Sequence, residues 1–551
     1  MSTRLAAVVL LLVAACAPVS QPEPAPTSAV IQPGGAPSAV ACWTSPPATG
    51  TATISFSDQT AAWGLISPLV GMHAHAAIWG DIDGDARPDL YVGTFADREP
   101  DRYRLRGAAG PSPDRLLLGG GSGFVVDDRL PEMFTRTSGG VAADLDSDGD
   151  LDLVVSRNWD DDTPDAPGTQ VLRNDGGVLT PVDLSGLPPR FGGRSVAVVD
   201  FDLDGLNDLF ILEDRWSGGR SVLLRNLGEM RFEDATAAAG LPTDIDGLGV
   251  AVADLTGDGL GDLFVAGSNR LFVSSGVGFF REAESEVFRW EMYGEEDDVS
   301  GVAIADVNRD GLLDVLLGHH YGSTIEDGRR VPVRLYLNRG LGPDGFPVFE
   351  DIAEAAGLVG LPTKAPHVEI ADFDNDGWPD LLTTASASQG TRPAIFRHLG
   401  LEGDLPRFAP PEGLGSSQYW VSGPSLDVDR DGRLDLFLVE WEPSLPSLLL
   451  RNETTSGRWL EVSVGPEGGF GLGWRVEVYR AGRAGDPEAL LGVREITVTQ
   501  GYSAGVAPVA HFGLGEAELV SVRLIPPGGA EPLVLDEVEA DQHLRVAGGC
   551  P

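Results

Sequence analysis

Short apolar runs separated by acidic, glycine-containing loops recur along most of this chain. One kind of run is small and β-branched: Val196-Ala197-Val198-Val199, Val250-Ala251-Val252-Ala253 and Val302-Ala303-Ile304-Ala305. The other follows a loop and is bulkier, as in Leu209-Phe210-Ile211, Leu263-Phe264-Val265 and Leu436-Phe437-Leu438. Continuous apolar runs this short, bounded by turn residues, predict strands buried on both faces. Each loop therefore joins two buried strands in a hairpin, and the alanine-rich first strand suits a crowded inner position. A third strand follows, often ending in Arg-Asn, as at Arg173-Asn174, Arg225-Asn226 and Arg451-Asn452. A fourth carries Phe-x-Asp, as in Phe232-Glu233-Asp234 and Phe349-Glu350-Asp351. Four antiparallel strands per unit make a propeller blade.

The loops share one nine-residue pattern, D-x-[DNT]-x-D-[GA]-x-x-D, whose seven starts lie 63, 56, 54, 52, 66 and 55 residues apart. A period near fifty residues marks stacked supersecondary units. The pattern reads as a calcium cage, because calcium takes six to eight oxygens and favours carboxylates. Position 1 is Asp81, Asp144, Asp200, Asp254, Asp306, Asp372 or Asp427. Position 3 is Asp83, Asp146, Asp202, Thr256, Asn308, Asp374 or Asp429. Position 5 is Asp85, Asp148, Asp204, Asp258, Asp310, Asp376 or Asp431. Position 6 is glycine in all but Ala86, since the sharp turn needs positive φ. Position 7 offers only its carbonyl, so its identity varies: Arg87, Asp150, Leu206, Leu260, Leu312, Trp378 and Arg433. Position 9 is Asp89, Asp152, Asp208, Asp262, Asp314, Asp380 or Asp435, expected to bind with both oxygens. An EF-hand would need Glu at position 12, where this chain has Val92, Val155, Ile211, Val265, Leu317, Thr383 and Leu438. Up to seven Ca²⁺ are expected. The first, fourth and fifth sites should be the weakest, through Ala86, Thr256 and Asn308.

The order of pieces predicts how the ring closes. Phe-x-Asp also precedes the first loop, at Phe56-Ser57-Asp58, and is missing after the seventh. Residues near Ile54–Phe56 are therefore expected to supply the outer strand of the last blade, covering an edge.

These units resemble FG-GAP repeats of the VCBS type, related to the seven-bladed head of integrin α-subunits. The tail resembles the ASPIC/UnbV domain of the cartilage acidic protein family. The matching residues are Arg451-Asn452-Glu453, Trp459-Leu460-Glu461-Val462, Gly471-Leu472-Gly473-Trp474-Arg475-Val476, Gly501-Tyr502 and His511-Phe512-Gly513-Leu514-Gly515. The resemblance implies an all-β fold: a seven-bladed, integrin α-like β-propeller over residues 53–457 and a small β-sandwich-like domain over 458–548. It also implies a calcium-loaded extracellular protein.

Composition agrees. The chain has 551 residues with 72 Gly and 40 Pro, which suits a loop-rich β protein. Its 83 acidic residues against 39 basic ones give a formal charge of −44. Nucleic acid is excluded as a partner, since phosphate binding needs basic patches. The apolar run from Leu5 to Ala15 is too short to span a bilayer. Val13-Ala14-Ala15-Cys16 resembles a bacterial lipobox with Cys16 lipidated, and residues 1–16 as its signal peptide; ordinary signal cleavage is the competing reading. Residues 17–52, rich in Pro, Ala and Ser, are expected to form a disordered tether. An exported monomer follows, held at the outer membrane or cell surface by its lipid alone, or otherwise secreted or periplasmic. Cys42 and Cys550 flank the folded region and could form a disulfide.

No catalytic motif stands out. His73, His75 and His367 precede inner strands and should face one mouth of the central channel, opposite the loops. They could hold a metal or transfer protons, or simply fill the rim with polar groups. Two functions stay open. One is a binding or adhesion module for a protein or glycan ligand. The other is a carbohydrate-active lyase or dehydratase working at the propeller mouth. Trp159, Trp290 and Tyr321, in or near long insertions, could stack on sugar rings or form protein interfaces.

Overall fold

The structure, a computed structural model, describes residues 39–46, 53–97, 100–104, 109–158, 168–184, 192–214, 220–284, 286–289, 298–320, 333–361, 364–384, 394–413, 420–443, 445–465 and 469–547. Cys16, Cys550, Trp159, Trp290 and Tyr321 lie outside the described residues. The protein is all-β, with 48% strand and 3% helix.

Among the described residues, seven sheets of antiparallel consecutive strands follow one another along the chain, each built as the apolar pattern requires. In the third, Ser195–Val199, Asp208–Leu212, Val222–Asn226 and Phe232–Asp234 pair in sequence order. The first two strands of this sheet are buried on both faces. Every neighbouring pair of sheets shares an apolar cluster. Trp79 and Leu90 of the first sheet meet Phe437 and Leu449 of the seventh, so the row closes into a ring. The other six junctions are filled in the same way. Inner strands approach closely: a Cβ at Gly249 would collide with the carbonyl oxygen of Ser300 on the next sheet.

The closure takes the expected form, shifted slightly along the chain. Phe56–Asp58 pairs with Leu448–Asn452 of the seventh sheet, Phe56 opposite Asn452 and Asp58 opposite Leu450. The first segment of the propeller thus completes its last blade and protects that strand's edge.

The C-terminal domain is a sandwich of two sheets. One holds Arg458–Val464, Ala510–Gly515 and Gln542–Val546; the other holds Arg475–Arg480, Leu490–Glu495, Leu519–Ile525 and Leu533–Glu539. Leu460, Val462, Val476, Val478, Val522 and Leu544 are among the side chains that fill the space between them. Residues 39–44, expected within the tether, instead form an edge strand of the first of these sheets, Ala39 opposite Val546 and Val40 opposite Arg545. Alternation is weak in Ala-Val-Ala-Cys-Trp-Thr, so only the partner strand reveals this strand. Cys42 on it is disulfide-bonded, to a partner outside the described residues.

The segment that leaves Leu490–Glu495 enters the propeller axis. Thr499 Oγ1 donates to the Val196 carbonyl at 2.7 Å. Gly501 and Val302 exchange backbone hydrogen bonds of 2.8 and 3.2 Å. Tyr502 packs with Leu248 and Val421, and its N–H donates to His367 Nδ1 at 3.1 Å. Ala504 and Gly505 pair with Ala77 and Ile78, and Gly505 lies against Gly140. This one segment therefore touches inner strands of all seven sheets.

The three histidines make polar and aromatic contacts at the mouth, in keeping with one of their two readings. His367 is capped by the Tyr502 amide. His75 stacks on Phe95 with centroids 4.5 Å apart, and its Nδ1 lies 3.0 Å from the Ser138 carbonyl. His73 Nδ1 lies 2.9 Å from the Trp441 carbonyl. No group of three metal-ligating side chains that includes a histidine is found among the described residues. The axial segment reaches two of the three imidazoles: the Tyr502 ring lies 5.6 Å from that of His75, and its amide bonds His367.

Removing residues 53–58 should strip the outer strand from the seventh sheet. A lowered melting temperature with loss of a single cooperative transition in calorimetry is expected, whereas removing residues 20–37 should leave the melt unchanged.

Candidate metal centres

The seven loops fold alike, and one set of hydrogen bonds explains why. The position 1 carboxylate accepts the N–H of position 6 in every loop, at 2.7 Å in Asp372–Gly377 and 3.2 Å in Asp144–Gly149 at the extremes. The position 5 carboxylate accepts the N–H of position 7 in every loop, at 2.8 to 3.1 Å. Position 6 is left-handed throughout, including Ala86 at φ 70°. Position 4 is left-handed as well, although only Gly84 and Gly257 are glycine there. Ser147, Leu203, Arg309, Asn375 and Arg430 hold φ between 53 and 64°. Such a backbone in non-glycine residues costs energy that the surroundings must offset. Only a faint sign of it is legible along the chain, the glycine or asparagine at position 4 in three loops.

The ninth aspartate reaches furthest. One oxygen accepts the N–H of position 2, as Leu145 to Asp152 at 2.8 Å. The other accepts an N–H from the third strand, as Asn174 to Asp152 at 2.8 Å. The same double tie recurs at Asp89, Asp208, Asp262, Asp314, Asp380 and Asp435. The Asn of the Arg-Asn pair then crosses to the preceding blade. Asn226 Nδ2 donates to Leu145 O at 2.7 Å and to Asn207 O at 3.0 Å. Asn174, Asn338 and Asn452 repeat the bridge, and His398 Nε2 replaces it at 3.1 Å from Val307 O. The Arg of that pair turns to the acids: Arg225 lies 2.6 Å from Asp202, and Arg451 lies 2.5 Å from Asp429.

Ligand atoms gather as the pattern predicts in five loops. Positions 1, 3 and 9 offer oxygens within 4.8 Å of one another in Asp144/Asp146/Asp152, Asp200/Asp202/Asp208, Asp372/Asp374/Asp380 and Asp427/Asp429/Asp435. The first loop gathers Asp81, Asp83 and Asp85 instead. The fourth and fifth loops form no such trio among the described residues, because Thr256 and Asn308 stand at position 3. Asn308 Nδ2 donates to Asp310 at 2.9 Å. The first loop was also expected to be weak, yet its alanine adopts the turn and its acids converge.

A cation fits these five clusters on a physical test. Each contains a buried carboxylate oxygen with no hydrogen-bond donor: Asp81 Oδ1, Asp146 Oδ1, Asp202 Oδ1, Asp374 Oδ2 and Asp429 Oδ1. A buried acceptor without a partner is costly unless something positive reaches it. Burial also raises the carboxyl pKa values. Asp81, Asp144, Asp200 and Asp306 are pushed from 3.8 to about 6, chiefly by desolvation and further by neighbouring acids. Asp89 rises to about 7, and Asp152 and Asp208 to about 8, again mainly by burial.

The C-terminal domain sits on these loops. Glu495 accepts the Asp254 N–H at 3.1 Å and is raised to about 8 by burial and by Asp254. Arg475 donates to Gly311 O at 2.6 Å. The Gly515 N–H donates to Asn375 O at 2.9 Å. A Cβ at Gly513 would overlap the Asp372 carboxylate. Ser45 Oγ, from the segment before the propeller, donates to Asp431 O at 3.1 Å. The domain covers the cages largely through main-chain atoms, which leave no mark in the residue pattern.

Comparison with known proteins defines the class first. The FG-GAP-like repeat profile matches residues 144–211, 200–265 and 255–317, and the ASPIC and UnbV profile matches residues 465–549. The chain is an FG-GAP-repeat propeller with a C-terminal ASPIC/UnbV domain. It is homologous to cartilage acidic protein 1. It is 30% identical to the Homo sapiens protein over 366 residues, covering 62% of this chain and 52% of that one. The Mus musculus protein matches at 30% over 365 residues, covering 62% and 53%. The chain thus spans about half the length of these curated relatives. Among solved structures, the Dos1 propeller is 10% identical with a TM-score of 0.36, covering 72% of this chain and 94% of that one. The V. cholerae biofilm matrix protein Bap1 is 16% identical with a TM-score of 0.28, covering 90% and 73%. Neither similarity bears on function.

Two outcomes follow. A raised carboxyl pKa gives stability that is complete below the unfolded value and lost as pH rises through the folded one. Chelated protein should therefore melt progressively lower between about pH 4 and about pH 8, and calcium should remove that trend by binding the ionised form. Differential scanning calorimetry reads both. Separately, Asn226→Ala leaves two buried carbonyls without a donor and should cost about 1–3 kcal/mol in urea unfolding.

Proposed function

We propose that this chain is a calcium-stabilised extracellular binding module, exported to the cell surface, that presents its propeller to a protein or glycan ligand. The observation that carries the calcium reading is the buried, donor-less carboxylate oxygen in each of five clustered loops. Calcium supplies the missing positive partner and is a hard cation suited to an all-oxygen cage. The likeness to cartilage acidic protein 1 supports the extracellular placement, where calcium is abundant and a disulfide at Cys42 persists. Among the described residues no helix is long and apolar enough to cross a membrane. Anchoring through Cys16 and a Cys42–Cys550 bridge belong to the same reading.

The metals act here as structural clamps. Their loops lie beneath the C-terminal domain, so a large ligand meets the remaining faces of the ring. The axial segment fills the channel, which favours a binding surface over a catalytic mouth.

Calcium binding to the folded state alone adds stability by mass action, with extracellular sites near 10⁻⁴–10⁻³ M in Kd, roughly. Excess chelator should lower the melting temperature markedly. Asp374→Ala should remove one site from the calorimetric stoichiometry. An unchanged melt in chelator would defeat the calcium reading. The binding reading is tested by a glycan array and a surface-protein screen run in calcium and in chelator. Calcium-dependent capture is expected, and capture equal in chelator would count against it.

A further inference from the structure

Beside the first and seventh acidic loops, three side chains of the C-terminal domain form a connected proton path. Ser463 Oγ lies 2.7 Å from His543 Nε2, and His543 Nδ1 lies 2.7 Å from Glu461 Oε2. Their placement follows from strand geometry. On Arg458–Val464, Leu460, Val462 and Val464 pack into the sandwich core. Alternation then puts Glu461 and Ser463 on the opposite face. Gln542–Val546 runs parallel to this strand, with Glu461 opposite His543 and Ser463 opposite Arg545. All four polar side chains therefore share one face.

That face lines a cavity of about 120 Å³ between the C-terminal domain and the first and seventh loops. The volume is about ten times what one water needs. Trp43 covers the imidazole, with ring centroids 3.8 Å apart. Arg545 Nε lines up beside Ser463 in the register and is buried without a hydrogen-bond acceptor.

We propose that Ser463, His543 and Glu461 form a nucleophile–base–positioning triad that hydrolyses small carboxylic esters in this cavity. The roles are set by the hydrogen bonds. A carboxylate accepting Nδ1–H fixes the tautomer in which Nε2 is the free base, facing the serine hydroxyl. Ser463 Oγ attacks the ester carbonyl carbon as His543 Nε2 takes its proton. The C–O bond to the alcohol breaks, and the alcohol leaves with that proton. Water then adds to the acyl-serine through the same base, releasing the acid and restoring the hydroxyl. The Arg545 Nε–H is the donor available to the oxyanion. The cavity restricts the acyl group to a few carbons. Glu461 acts through His543 and is a positioning residue.

A hydrogen-bonded chain that merely ties two strands would show the same distances, so the test must read chemistry. Calcium-loaded full chain is treated with a fluorophosphonate probe and mapped by peptide mass spectrometry. It is also assayed with p-nitrophenyl acetate. Labelling of Ser463 is expected, with hydrolysis that Ser463→Ala reduces to the uncatalysed rate. His543→Gln should slow hydrolysis about 10³-fold or more. Glu461→Gln should lower kcat about tenfold or more with KM unchanged. Each variant's melt is recorded, so that a folding defect is read separately. Absence of label on Ser463 in well-folded protein overturns the proposal. So does hydrolysis that survives Ser463→Ala.

Discussion

The ninth carboxylate of each loop is the constraint on which the ring depends. It is buried, and both its oxygens are committed to backbone N–H groups, one from the loop and one from the third strand. A buried carboxylate held by such bonds locks the hairpin to its neighbour strand. It also fixes the residue whose amide it accepts, and in four sheets that residue is asparagine. The asparagine side chain then satisfies two carbonyls, one in its own loop and one in the preceding blade. Loop shape, blade assembly and blade-to-blade contact are thus one hydrogen-bond network. Where asparagine is absent, the network is repaired by other means. His398 bridges the fifth and sixth loops, and the Gly278 N–H bonds Phe201 O between the third and fourth.

This arrangement concentrates negative charge where solvent cannot screen it. Burial raises the carboxyl pKa values, and third-strand arginines such as Arg225 and Arg451 neutralise only the outer acids. A divalent cation in the cage would correct the remaining imbalance. Left-handed backbone at position 4, in residues as unsuited as Leu203, is the conformational counterpart of that demand. The loop is bent to aim oxygens inward, and a cation bound there would offset the bend.

The C-terminal domain completes the design by contacting the loops and the axis at once. It rests on main-chain atoms of loops four to seven and sends residues 499–505 down the channel. A ring of seven sheets has a central space that side chains of inner alanines and glycines cannot fill. The axial segment fills it and bonds to inner strands around the whole circle. The first residues of the folded chain do comparable work twice. Residues 39–44 extend the C-terminal sheet and residues 56–58 close the propeller, so both domains depend on segments distant in sequence.

Much of this was legible in the chain itself. Apolar runs of fixed type around Asp144 or Asp200 could only be paired buried strands, because the side-chain period and the turn residues are local. The cage pattern was equally local: positions 1, 3 and 9 converge within a single tight turn, so spacing alone specified the trio in four loops. Even the closing strand at Phe56 could be read, since a repeat element displaced to the front implies a ring. Tertiary structure decided what no local pattern encodes. The strand at 39–44 has neutral alternation and exists through its partner at 542–546. No local pattern near His75 or His367 shows that Tyr502, from a domain over a hundred residues further on, packs against both. Glu461, Ser463 and His543 look like ordinary strand residues until two parallel strands bring them into register. Local periodicity determines which segments pair and bend. Only the packed whole determines which distant side chains share one small volume.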